Sequence, residues 1–387
     1  MSTRQWILSA AVLVATALSL MFWHHSKMLA DLNVSGVQES EQSIHPISNI
    51  SLPIEQKKQP SEPEAPVTVD PNDLQDNHLD VVTCKQDLDE LLDTEQSNRF
   101  LQHNALKEQL AALNTVPANL MVALLENNKE SLNTYLQYSQ SSQFSNYANY
   151  LLLTKCLQES EQNNVCKESR FANIVSENYQ EGRFWLMRAE QFAKNKKTTQ
   201  AIQALNGFLA ASNLYDFHGD SLIMSLRAFN QSEIDSFPLR LVASFAVVVS
   251  SPRLPANSTL NFCENQSLFR PDILNLCAQV GEKLYKQGKT IADKQLGLTL
   301  QINAYNGRDD DMVKKLSEEK HRIDKQLAEM EKVSNLILMD ENLGRYLVEQ
   351  WIKFGELEAY KNTIEEAVRL SKNPQYDPCN SRQVGTE

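Results

Sequence analysis

The chain has 387 residues, with 37 Lys and Arg against 49 Asp and Glu and a formal charge of −12 at pH 7. No basic cluster offsets that balance, which excludes a nucleic-acid partner and a polybasic grip on anionic lipid. The 11 glycines are scattered singly, which disfavours phosphate-cradling loops and many-stranded all-β folds.

Residues 1–27 read as an N-terminal signal anchor. From Trp6 to Trp23 there is no charged side chain, and 18 helical residues at 1.5 Å each reach roughly 27 Å, the thickness of a thin bilayer core. Trp6 and Trp23 stand at the two ends, where indole rings favour the interface, and Arg4 before the segment favours a cytoplasmic N-terminus. The rival reading is a cleaved signal peptide, with Ala15-Thr16-Ala17 as the small-x-small site. Residues 28–78 form a linker that holds six of the 13 prolines, and no aromatic side chain occurs between Trp23 and Phe100. Such a stretch buries too little apolar surface to offset chain entropy and is expected to stay disordered.

Residues 79–376 carry helical periodicity, leaving 377–387 as a C-terminal tail. Leu106, Leu110 and Leu113 follow i, i+4, i+7 spacing, and Phe144, Tyr147, Tyr150 and Leu151 share one stripe. Further helices are expected over 184–195, 198–212, 220–230, 271–287, 290–305, 309–335, 341–354 and 356–371. Asp220, Asp272 and Asp309 supply start signals, and Asp220 is read as the cap of its helix. Val-rich 239–251, flanked by Pro238 and Pro252, fits either a buried helix or a strand. A subdomain boundary is expected near 252–269. Leu316, Ile323, Met330 and Ile337 recur at seven-residue steps, which reads as a helix packed on its own domain in preference to a coiled-coil seam. The fold class is all-α, built of irregular stacked helical hairpins, solenoid-like or bundled.

The six cysteines contain no CxxC pair, so zinc and thioredoxin-type sites lack support. An even number outside the cytoplasm suggests disulfides. Spacing favours Cys156–Cys166 and Cys263–Cys277 as local staples, and elimination leaves Cys84–Cys379.

Trp185, Phe192, Ala201 and Leu205 fall at the large and small packing positions of a tetratricopeptide unit, which this stretch of about 30 residues resembles. Lys196 stands where that family has Gly, and no second copy follows 34 residues on. Gly281 and Gly288 of GEKLYKQGKT have six residues between them where a phosphate loop needs four, and the stretch reads as an amphipathic helix with a Gly cap. Glu168-Ser169, Phe171, Ser176 and Gly182 are similar to the start of the lytic transglycosylase site, and Ala304-Tyr305-Asn306-Gly307 resembles a later motif of that family. The resemblance implies Glu168 as general acid/base, protonating a glycosidic oxygen. The chain departs from the family at Tyr179, where a Gly is usual, and at Arg183-Phe184-Trp185, where Leu-Met-Gln is usual. Asp216, His218, Asp220 and Ser221 gather the residue types of a hydrolase but read as a turn before a helix. No metal or cofactor site is expected: His103 and His321 stand alone, and Arg308 to Asp311 lack the alternating ligands of a calcium loop.

These features point to a single-pass membrane protein with its bulk extracytoplasmic (periplasmic in a Gram-negative cell). It would act as a protein-binding scaffold or adaptor on an unidentified envelope or lumenal protein. The alternative is a peptidoglycan lytic transglycosylase-like enzyme using Glu168.

Overall fold

The computed structural model describes residues 80–84, 103–140, 144–158, 164–232, 234, 236–251, 256–267 and 270–379. The segment Trp6 to Trp23 and the linker lie outside the described residues. Among the described residues the protein is all-α, with 15 helices and no strand; no helix there is long and apolar enough to cross a membrane.

The first four helices are α1 (His103–Leu113), α2 (Val116–Glu126), α3 (Ser131–Ser139) and α4 (Ser145–Gln158). Thr115 caps α2 by accepting the Ala118 N–H, and Pro117 sits in the first turn, where its missing N–H costs nothing. Helix α4 buries every side chain from Tyr147 to Leu157, so the stripe expected there widens to the whole circumference. A helix enclosed by its neighbours has no polar face to betray its period.

Three helices follow a short 3₁₀ turn: α5 (Glu168–Glu177), α6 (Gly182–Lys194) and α7 (Thr198–Ala210). Next come α8 (Phe217–Asn230) and α9 (Phe237–Ser250). The Val-rich stretch is therefore a helix. Pro238 lies in its first turn, and the helix is wedged between two cores. Leu239, Ala243 and Val247 join the cluster built on α2 and α4, while Phe237, Leu241, Val242 and Val248 join the one built on the C-terminal helices. Burial on two sides explains why its sequence shows no clear period.

The polar run after Pro255 forms α10 (Asn257–Ser267), which packs on α6. Then come α11 (Pro271–Gln287), α12 (Ile291–Tyr305), α13 (Asp310–Met339), α14 (Glu341–Phe354) and α15 (Glu356–Ser371). Consecutive pairs α6–α7, α11–α12 and α14–α15 make the most extensive helix contacts. At the α11–α12 crossing Gly281 and Gly297 face each other, each leaving no room for a Cβ against the other's carbonyl oxygen. The 30-residue α13 buries Leu316, Ile323, Met330 and Ile337 against the domain, so its seven-residue stripe is core.

All six cysteines are joined as Cys84–Cys379, Cys156–Cys166 and Cys263–Cys277. The first bond spans a sequence separation of 295 and ties the start of the folded region to its end. The Val82 N–H donates to Ser371 Oγ at 2.9 Å beside it.

Candidate binding groove

Helices α5, α6 and α7 enclose a surface groove of about 490 Å³. Its walls follow helical spacing: Ala172, Val175 and Ser176 from α5, Trp185, Arg188 and Phe192 from α6, and Gln200, Gln203 and Ala204 from α7. Tyr179, in the turn after α5, completes the rim with 60% of its surface exposed, the most of any large apolar side chain described.

The aromatic wall is fixed from behind. Trp185 Nε1 donates to the Tyr179 carbonyl at 2.8 Å. The indole lies against Gly207, where any Cβ would stand 2.5 Å from the ring. The Arg188 guanidinium sits 4.1 Å from the Phe192 ring centroid, a cation–π contact. It also donates to Gln191 Oε1 at 2.5 Å and to Glu168 Oε1 at 3.3 Å. A rigid aromatic surface with a held cation and two exposed amides can accept an extended chain at low entropic cost.

Glu168 stands at one end of this groove as the first residue of α5. It is half exposed and ion-paired to Lys197 at 3.0 Å and to Arg188 at 3.3 Å. The hydrogen bond from Lys197 holds its carboxyl below the ordinary value, so at neutral pH it is ionised and has no proton to give. The neighbouring motif residues serve packing: Phe171 is buried, and Gly182 lies against the Asn213 carbonyl and the Phe208 ring. Tyr305 belongs to a separate small cluster with Leu274, Ala278 and Ala304.

The tetratricopeptide-like unit is the α6–α7 pair. Ala201 and Leu205 are fully buried between the helices. Lys196, in place of that family's Gly, adopts φ +57°, the left-handed conformation the Gly would supply.

The turn before α8 departs from expectation. The cap is Asp216, whose Oδ1 accepts the Gly219 N–H at 2.8 Å, and Asp220 falls inside the first turn. The helix starts earlier because Trp351 Nε1 donates to the other Asp216 oxygen at 3.1 Å and pins it. The Ser221 hydroxyl is buried against Ser251 Oγ at 2.8 Å. Gly288 ends α11, as its sequence suggests. Asp309 caps α13 through the Met312 N–H, with Asp310 and Asp311 in the first turn, where the helix dipole favours them.

Behind the groove, the opposite face of α6 carries a buried ionic network. Arg183 donates to both oxygens of Asp293, at 2.6 and 2.5 Å, and to the Tyr215 carbonyl. Burial raises the Asp293 carboxyl, but the guanidinium outweighs it and leaves the group below its ordinary value. Glu181 accepts the Arg183 and Tyr215 N–H groups, yet burial pushes it up to about 7. Burial and then the neighbouring Asp216 push Asp220 up to about 7 as well. Glu190, also on α6, accepts from the Ser258 and Thr259 N–H groups at the start of α10.

Comparison of the chain with known protein families, with curated proteins and with solved structures gives no match.

Proposed function

We propose that the protein is a membrane-anchored, extracytoplasmic scaffold of stacked helical hairpins that binds an extended segment of another protein in the α5–α7 groove. The exposed Tyr179 beside a Trp185 fixed by Gly207 and by its own N–H carries the reading. Aromatic anchors over a preformed apolar floor, with amides for main-chain hydrogen bonds, are the usual means of holding extended peptides. Three disulfides with no free cysteine among the described residues favour an oxidising compartment.

Two measurements test this. Alkylation of membrane-fraction protein should leave all six cysteines protected until reduction; free thiols would move the domain to a reducing compartment and overturn the location. An array of extended peptides probed with the full chain should give binders whose affinity falls roughly tenfold in Tyr179→Ala, the loss of a central aromatic anchor. Since that ring is mostly exposed, the variant should fold as the parent does. Binding that ignores Tyr179→Ala and Gln203→Ala would rule out the groove.

A further inference from the structure

We infer that the groove's occupant in the resting protein is the chain's own acidic, proline-rich segment, residues 60–71. The inference rests on the groove reading above and adds the identity of the ligand.

Three observations converge. The first is spacing. Pro60, Pro63 and Pro66 recur every third residue, which matches the three residues per turn of polyproline II and places the three rings along one edge. Polyproline II segments dock in grooves walled by Tyr and Trp, because their low chain entropy leaves little to lose on binding. Tyr179 and Trp185 form such a wall, and Gln200 and Gln203 also line the groove, where their amides can meet the segment's free carbonyls.

The second is charge. From Pro60 to Asp73 there are four acidic side chains and no basic one. Between Lys167 and Gln203, the stretch that builds the groove, there are seven basic and four acidic side chains in a chain whose total charge is −12, and of the basic ones Arg183 is buried against Asp293 behind the groove. Two of those four acids, Glu181 and Glu190, are buried in hydrogen bonds to backbone N–H groups and add little to the groove surface. Lys197 is partly exposed at the mouth and Arg188 lines the wall. Glu62 and Glu64, flanking Pro63, are suited to exchange with Glu168 as their partners.

The third is reach. Thirteen residues, and so fourteen Cα–Cα steps, separate Pro66 from Asp80, where the described fold begins. At roughly 3.3–3.6 Å per residue they span about 50 Å. A compact domain of this size has a radius of gyration of about 19 Å, so a segment tethered at Asp80 reaches more than half of its surface. A tether this short gives a local concentration in the millimolar range, so even a weak contact is populated.

The probe is a fluorescein-labelled synthetic peptide of residues 59–73, titrated by anisotropy into the purified full chain and into its Pro60→Ala/Pro63→Ala/Pro66→Ala variant. The unfolding midpoints of the parent and the proline variant are compared alongside, so that any change in the domain is read separately from binding. With the tethered competitor removed, the peptide should bind the variant about tenfold more tightly than the parent. Adding Tyr179→Ala to the variant should weaken that binding roughly tenfold. Equal affinity for the parent and the proline variant, still sensitive to Tyr179→Ala, would overturn self-occupancy while leaving the groove reading intact. No binding to either chain would also overturn it, and the groove would then stand or fall on the peptide array. A benzophenone residue placed at Ala65 should give intramolecular adducts within residues 172–204; adducts between two chains would assign the segment to a second copy and refute the tethered form.

Discussion

Replacing Arg183 by Met tests the buried ionic network directly. Arg183 and Asp293 each keep 6% of their side-chain surface, and their two hydrogen bonds are 2.6 and 2.5 Å long. Met preserves the aliphatic length but removes the charge. Asp293 would then keep only the Thr290 capping contacts, and the Tyr215 carbonyl would lose its 2.5 Å donor. Leaving a buried carboxylate without its partner costs about 3–5 kcal/mol. Urea unfolding followed by far-UV circular dichroism, with the disulfides intact, should show that loss at pH 7.5. The loss should shrink at pH 5. Without the guanidinium the Asp293 carboxyl rises above its unfolded value, so the variant regains stability as falling pH protonates it. The double variant Arg183→Met/Asp293→Leu should recover most of the loss, short of about 1 kcal/mol for the missing capping box at Thr290. A single-variant loss under about 1 kcal/mol, or a double variant no more stable than the single, would refute the reasoning.

Three further outcomes are expected. Asp220→Asn should stabilise the protein by about 2–4 kcal/mol at pH 8 and by nothing near pH 4, read from unfolding midpoints at both pH values. The sign follows from its folded pKa of about 7, above the ordinary value of 3.8: stability is fully present at low pH and is lost as pH rises towards 7. Gly297→Ala should cost at least about 1–3 kcal/mol, because its Cβ would meet the Gly281 carbonyl oxygen at 2.5 Å and the Tyr285 backbone nitrogen at 2.5 Å, and backbone cannot yield as a side chain does. Lys196→Gly should stabilise by about 1 kcal/mol in thermal unfolding, since only the left-handed strain at φ +57° is relieved.

How much was legible depended on how each helix meets solvent. The expected spans 271–287, 341–354 and 356–371 coincide with α11, α14 and α15, each amphipathic and each bounded by a cap, Pro or Gly. The stretch 239–251 was ambiguous because α9 is buried on both sides, leaving no polar face to set the period. Asp220 reads as a cap because it precedes an apolar run; nothing local shows that Trp351, 135 residues away, holds Asp216 in that role. The groove is assembled from three helices. Trp185 and Phe192 stand at packing positions of a helix pair and Tyr179 at a departure from the transglycosylase pattern, but Arg188, Gln200 and Gln203 carry no motif, and only the crossing of α5, α6 and α7 brings them together. Glu168 stood out through spacing, and its actual partners Lys197 and Arg188 are 29 and 20 residues away.

These separate observations meet in α6. One side of the helix presents Trp185, Arg188 and Phe192 to the groove. Elsewhere on it, Arg183 binds Asp293 on α12 and Glu190 binds the first turn of α10. A surface helix held only by apolar contacts can slide by a fraction of a turn, because dispersion contacts are many and non-directional. Two charged side chains anchored to different helices remove that freedom: each hydrogen bond fixes both an axial position and a rotation about the helix axis. The buried charges therefore contribute less to net stability than to the register of α6, and hence to the placement of Trp185 over Gly207. It follows that Glu190→Gln should weaken peptide binding at the groove by more than its effect on the unfolding midpoint accounts for, since Glu190 is buried and does not line the groove. The comparison is made at a temperature where both chains are fully folded. Unchanged peptide affinity in a destabilised Glu190→Gln protein would show that the groove is set by apolar packing alone.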